Sequence, residues 1–128
     1  MNKLEKDSVV GISALLVHAA KIDELYSEHE KDLIKSFIKS YLEDDADKVL
    51  KKAEEVESNS NQLLNFTNII KQNSMEIKKD IIEHLWKVII SDNAVDQYES
   101  NLMRRICGLI YFPDKECAEI KLKLMNSK

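Results

Sequence analysis

Apolar residues recur along this chain every three or four positions, a spacing typical of amphipathic α-helices. The pattern predicts an all-α fold, a single-domain bundle of about seven helices that takes in residues 1–128. Short polar breaks separate the helices, as expected in a compact bundle. The predicted helices cover about 8–22, 28–42, 44 or 45 to 57, 63–70, 74–89, 97–110 and 113–124.

Capping residues predict where several of these helices begin. Ser27 is followed three residues later by Glu30, which is the form of a capping box at the start of the second helix. Asn73 and Glu76 have the same form before the fifth helix. Pro113 ends the sixth helix and can serve as the first residue of the seventh.

The pattern also predicts an internal pseudo-repeat of helix–loop–helix units. A shift of 69 residues, the distance from Asp23 to Asp92, brings apolar, acidic and capping positions into register together. The first and second helices then correspond to the fifth and sixth. The matched pairs include Leu16 with Leu85, Ser27 with Asp96, Glu30 with Glu99, Leu33 with Leu102, and Phe37 with Ile106.

The repeated acids are the candidate functional residues. Asp23 and Asp92 each follow an apolar helix, where the helix dipole disfavours a carboxylate by roughly 0.3–1 kcal/mol. Either an Asx turn in the following loop or a bound cation would offset this cost. Glu30 and Glu99 are explained by capping, but they could also complete an oxygen-ligand site for Ca²⁺ or Mg²⁺ with the aspartates.

Composition narrows the class of protein. With 2 glycines and 1 proline in 128 residues, regular helix must be nearly continuous. The net charge of −4 and the absence of a basic stripe argue against nucleic acid as a ligand. No apolar segment approaches ~18 residues and the start is polar, so we expect neither membrane insertion nor a signal peptide.

The reactive side chains suggest no enzyme. We expect Cys107 to be a buried apolar residue and Cys117 to lie nearer the surface, in a reducing cytoplasm. Neither belongs to a CxxC pair, and no nucleophile–base or phosphate-loop motif is present. His18 precedes Asp23 by five residues and is read as a partly buried polar residue rather than a metal ligand.

Two further features have structural and functional interpretations. The charge run at 43–57 predicts a solvated helix face with pairs such as Asp47 and Lys51, and an acidic docking surface is the alternative. Trp86 is predicted to be a core residue, with a partner groove as the alternative.

The two loop motifs resemble those of the tellurite-resistance TerB family of bacterial helical domains. The motif in that family is an apolar helix, then Ala-x-x-Asp-Gly, then a Ser or Asp cap with Glu three residues later. Here it stands as AAKIDELYSEHE from Ala19 and as IISDNAVDQYE from Ile89, with the closing segment LIYFPDKECAEI. Glu24 and Asn93 replace the glycine of the two copies. The likeness extends from about Val9 to Leu124, and the domain also resembles the N-terminal part of a DnaJ-type co-chaperone.

This resemblance implies an association with tellurite and general stress resistance, without a defined catalytic activity. It implies divalent-metal binding by the paired acids, Asp92 and Glu99, with Asp23 and Glu30 as the weaker site. Two hypotheses follow: a non-catalytic module that binds another protein through an acidic or apolar helical face, and a divalent-metal-binding protein. The partner would be a protein, and any membrane-associated complex would form through that partner.

Overall fold

The computed structural model describes residues 4–21, 26–60, 63–90 and 97–126, with only the backbone described at positions 97 and 98. These residues form seven α-helices and no strand, so the predicted all-α fold is confirmed. None of the described helices is both long and apolar enough to cross a bilayer. The helices are α1 (Lys6–Ala20), α2 (Glu28–Tyr41), α3 (Ala46–Ser58), α4 (Leu64–Lys71), α5 (Met75–Ile90), α6 (Gln97–Leu109) and α7 (Asp114–Asn126).

Helix α1 lies at the centre of the bundle and packs against α2, α3, α4 and α5. It is buried on almost every side from Val9 to Val17, which explains why its apolar stripe is so wide in the sequence. Helix α5 contributes a second buried surface, which packs against α2 and α7. Trp86 of α5 is 3% exposed, so its predicted core position is confirmed.

The start of α5 differs from the prediction. Ser74, not Asn73, caps this helix, because its Oγ accepts the backbone N–H of Ile77 at 3.3 Å. Asn73 instead donates its side-chain amide to the carbonyl oxygen of Ile69 at 2.7 Å, at the end of α4. The predicted capping box of Asn73 and Glu76 was therefore wrong: a residue that follows one helix and precedes the next can serve either end.

Helices α6 and α7 meet at a tight corner. The backbone N–H of Phe112 donates to the carbonyl of Cys107 at 2.8 Å, and that of Tyr111 donates to Gly108 at 3.4 Å. This is a Schellman arrangement, and it places Tyr111 at φ 59°, a position usually taken by glycine. Pro113 was predicted to be the first residue of α7. It instead immediately precedes this helix, which begins at Asp114.

Close packing between α1 and α4 has two notable features. A β-carbon at Gly11 would overlap Cδ1 of Ile69, so a larger residue here would require the end of that side chain to shift. The buried hydroxyls of Ser13 and Thr67, on the same two helices, have no hydrogen-bond partner among the described residues. Each unpaired hydroxyl costs roughly 1–3 kcal/mol of stability.

The described helices are consistent with the predicted register of the repeat. Shifted by 69 residues, the bounds of α1, α2 and α3 coincide within one residue with those of α5, α6 and α7. Leu16 and Leu85 are both fully buried, as are Phe37 and Ile106. Matching bounds do not establish matching geometry, so the pseudo-repeat itself stays a prediction.

Candidate functional site

The first corner, between α1 and α2 at 18–30, contains the confirmed capping box. Glu30 is three residues after the capping residue Ser27, and its Oε1 accepts the backbone N–H of Ser27 at 2.8 Å. The Ser27 Oγ in turn accepts the backbone N–H of Glu30 at 3.2 Å. Glu30 is 4% exposed, so the box binds its carboxylate in a buried position. Asp23 lies outside the described residues.

Two carboxylates of α3, those of Glu57 and Glu54, contact side chains of this corner. Glu57 receives Lys21 Nζ at 2.9 Å on Oε1 and lies 3.3 Å from His18 Nδ1 through Oε2. Burial raises the pKa of Glu57, but the hydrogen bonds from Lys21 and His18 outweigh it and leave that pKa below its ordinary value. The first corner is therefore tied to α3 by charge as well as by packing.

Tyr26 makes the second tie between this corner and α3. Its hydroxyl donates to Glu54 Oε2 at 2.7 Å, while Lys31 Nζ lies 5.1 Å from the centre of its ring. Burial and the hydrogen bond to Glu54 both raise the pKa of Tyr26. No local sequence pattern predicts these contacts, because Tyr26 and Glu54 are 28 residues apart.

The charge run at 43–57 is thus only partly a solvated face. Lys35 of α2, rather than Lys51, lies 2.8 Å from Asp47 Oδ1, and its hydrogen bond lowers the pKa of Asp47. Several carboxylates of α3 consequently connect to α1, α2 or the corner between them. An acidic docking surface on α3 would have to compete with these pairs.

A further polar contact joins α2 to α5. The Tyr41 hydroxyl donates to Asp80 Oδ2 at 2.6 Å, and burial together with this bond raises the Tyr41 pKa. His84, one turn after Asp80, places Nδ1 2.9 Å from the Asp80 carbonyl oxygen and packs edge-on against Phe37. These residues link two helices rather than line a cleft.

The second corner, between α5 and α6 at 90–99, is described only at its two ends. Glu99 is the third residue of α6, the position that Glu30 has in α2, and it is 2% exposed. Asp92 lies outside the described residues. Ile90, the residue that corresponds to Lys21, is buried and apolar, so the Lys21 charge has no counterpart at this position.

A family model described as "Tellurite resistance protein TerB" matches residues 10–122 of the chain. The chain belongs to the TerB family. No curated protein and no solved structure matched the chain.

The described part of this TerB-family domain does not by itself make a cation site. Among the described residues, no group of three or more His, Cys, Asp or Glu side chains is placed to hold a metal ion. In the first corner, Oε1 of Glu30 is already hydrogen-bonded to Ser27. The metal-site prediction therefore depends on Asp23 and Asp92 and stays a prediction.

The last helix of the TerB-family domain carries a second apolar stripe that faces solvent. Leu122 is 59% exposed and Met125 is 44% exposed. With exposed Ala118 they follow the spacing i, i+4, i+7 along one side of α7. We call Ala118, Leu122 and Met125 the outer stripe. The opposite side of α7 is buried through Cys117 and Ile120.

Two lysines flank the outer stripe, and the exposed Asp114, four positions before Ala118, lies on the same side of α7. Lys115 and Lys121 are three positions before and after Ala118, which places them about 60° to either side of it around the helix. Lys121 Nζ also lies 5.4 Å from the centre of the Trp86 ring. The apolar spacing predicted only the inner side of α7, although the outer stripe also repeats at helical spacing in the sequence.

A groove of about 730 Å³ lies between α1, α3 and α4, away from both corners. Its floor is formed by residues such as Val10, Gly11 and Phe66. Its rim carries both signs of charge, with Lys52 and Glu55 side by side in the lining. This mixed rim favours no particular class of ligand.

Proposed function

We propose that this chain is a non-catalytic interaction module of the TerB family. It binds an amphipathic helix of another protein against the outer stripe of α7. The observation that carries the proposal is the exposure of Leu122, 59%, and Met125, 44%, on a helix whose other side is buried. Single exposed apolar residues are common on protein surfaces, but three at helical spacing form a continuous strip.

The energetics support helix-on-helix recognition. Burying a Leu or Met side chain completely contributes roughly 1.5–3 kcal/mol, so the partly exposed Leu122 and Met125 retain a substantial part of that driving force. Anchors at i, i+4 and i+7 are the form in which an amphipathic helix is recognised. The stripe is therefore suited to a partner helix that lies along α7.

The flanking charges define the chemistry of the partner. Because Lys115 and Lys121 lie on either side of the stripe, the partner helix should carry Asp or Glu beside its apolar residues. Such pairs speed association and weaken with salt. We place the module in the cytoplasm, with proteins rather than nucleic acid as its ligands, and any membrane association would go through the partner.

Site-directed photocross-linking tests this proposal. A photoreactive residue replaces Leu122 in cells that make the protein, and the same residue replaces Leu64, an apolar side chain on α4 that is 46% exposed, as the control. Mass spectrometry then identifies the cross-linked segment. We expect an adduct from position 122 but not 64, with an amphipathic segment flanked by acids. No adduct, equal adducts from both positions, a segment of other chemistry or a second copy of this chain would overturn the proposal.

Divalent-cation binding is the second candidate function. It is favoured by two buried carboxylates at matching helix positions, Glu30 at 4% exposure and Glu99 at 2%. Asp23 and Asp92 would supply the remaining hard oxygen ligands for Ca²⁺ or Mg²⁺. Calorimetric titration separates this candidate from the first, because helix binding to the outer stripe needs no metal.

A further inference from the structure

Charged residues along α7 give the outer stripe a direction. Asp114 and Lys121 are seven positions apart, which places them on the same flank of the stripe, about 40° and 60° from Ala118 around the helix. Asp114 is exposed at the end of the stripe where α7 begins, and Lys121 lies roughly 10 Å further along the axis. The Lys121 Nζ is 5.4 Å from the centre of the Trp86 ring, a contact that holds this base beside the stripe. This flank therefore carries an acid before a base in the direction of the chain.

The other flank of the stripe has no such order. Lys115 lies there, about 60° from Ala118, and the residue seven positions later is Leu122, which belongs to the stripe itself. Glu119 follows Lys115 on that side, but it lies about 100° from Ala118, beyond the strip that a helix centred on the stripe would contact. Lys115 can attract an acid of the partner, but only Asp114 and Lys121 distinguish one direction of the partner from the other.

A partner helix can meet this flank in two directions. An antiparallel partner would face Lys121 with an acid and, seven residues later in its own chain, would face Asp114 with a base. A parallel partner would need the reverse order, with the base before the acid. The helix macrodipole favours acids near the N-terminus of a helix and bases near its C-terminus, so the antiparallel order also stabilises the partner helix itself. The dipoles of two adjacent helices are likewise more favourable when the helices run in opposite directions.

We infer that the partner helix lies antiparallel to α7, with an acid that faces Lys121 and, about two turns nearer its C-terminus, a base that faces Asp114. The inference rests on the proposed function, because it requires an amphipathic helix on the outer stripe. It adds the direction of that helix and the order of its charges. The N-terminal part of the partner then lies over Leu122 and Met125, and its C-terminal part lies over Ala118.

Cross-links from the two ends of the stripe test the direction. In the full chain the photoreactive residue replaces Ala118 or Met125, and mass spectrometry locates each adduct within the segment that position 122 labels. We expect the adduct from position 125 to lie about seven residues N-terminal to the adduct from position 118. The reverse order, or adducts at one and the same residue, would overturn the inference and leave the proposed function standing. Failure of position 122 to label an amphipathic segment would instead remove the proposed function.

An exchange of the two charges tests their order by affinity. The variant Asp114→Lys/Lys121→Asp reverses the flank and keeps the net charge. The control, Glu116→Lys/Lys123→Glu, makes the same exchange at the same spacing on exposed positions about 140–160° from Ala118. It also removes an acid from the first turn of α7 and a base from its last turn, so it matches the change in dipole interactions near the two helix ends.

The synthetic segment identified by cross-linking is titrated by calorimetry into both variants at low salt. We expect the flank variant to bind it about fivefold more weakly than the wild type does, and the control to bind it as the wild type does. Exchange of the facing acid and base within the segment should restore binding to the flank variant. Equal affinity for the two variants, or no recovery with the exchanged segment, would overturn the inference. If the flank variant fails to fold, the order of the cross-links still decides the direction.

Discussion

The tie between Glu57 and the first corner can be tested by Glu57→Gln. This change keeps the size of the side chain and removes the charge that meets Lys21 Nζ at 2.9 Å and His18 Nδ1 at 3.3 Å. The side chain of Glu57 is 13% exposed, whereas those of Lys21 and His18 are 39% and 42% exposed. Solvent therefore screens the side chains of Lys21 and His18 more strongly than it screens the Glu57 carboxylate.

The expected loss of stability follows from these exposures. An exposed ion pair contributes about 0.2–1 kcal/mol, and Glu57 makes one with the partly exposed Lys21 and a hydrogen bond with His18. We expect Glu57→Gln to lower the free energy of unfolding by about 1 kcal/mol at pH 7, since the glutamine can keep part of the hydrogen bonding. The melting temperature of a domain of this size should fall by about 4 °C.

The loss should depend on pH. The folded pKa of Glu57 lies below its unfolded value of about 4.3, so the charge contributes its full stability above that pH. The contribution disappears as the pH falls through the folded pKa. Urea unfolding followed by circular dichroism at pH 7 and at a series of pH values below 4.3 measures how the contribution declines. Glu55→Gln, an exposed position on the same helix, is the control and should change stability by less than about 0.5 kcal/mol. An equal loss in both variants, or a Glu57→Gln loss that does not decrease as the pH falls below 4.3, would refute the tie.

Three other predictions follow from single positions. Ser13→Ala should raise the free energy of unfolding by about 1 kcal/mol, because it removes a buried unpaired hydroxyl, and a lower value in urea unfolding would contradict this. Tyr111→Gly should be more stable than Tyr111→Ala by about 1 kcal/mol, since φ is 59° there; the usual order, alanine above glycine, would refute the left-handed corner. If a metal binds, calorimetry with millimolar Ca²⁺ or Mg²⁺ should give heat that Asp92→Asn abolishes while helicity is kept; no heat with the wild type would remove the metal hypothesis.

The sequence predicted the helices well because their signals are local. Each apolar stripe repeats at helical spacing, and Ser27 with Glu30 is a capping box in both the sequence and the structure. The errors fell where one residue could serve two helix ends, as at Asn73. The predicted start of α7, at Pro113, was one residue too early for a similar reason. A residue just before a helix is hard to distinguish in the sequence from the first residue of that helix.

The candidate sites were harder to predict because they depend on contacts between distant segments. Glu57 reaches Lys21 across 36 residues, and nothing in the charge run itself distinguishes a tied carboxylate from a solvated one. Cys117 was expected nearer the surface, yet it is 5% exposed because α7 packs on α5 through that side.

The central claim, that the outer stripe of α7 binds a partner helix, is tested most directly by matched affinities. The segment identified by cross-linking is synthesised and titrated by calorimetry into the wild type, Leu122→Asp and Leu64→Asp. Leu64 and Leu122 are both exposed leucines on different faces, so the two variants carry the same chemical change. We predict at least a tenfold loss of affinity for Leu122→Asp and wild-type affinity for Leu64→Asp. Wild-type affinity for Leu122→Asp, or an equal loss in both variants, would contradict the claim.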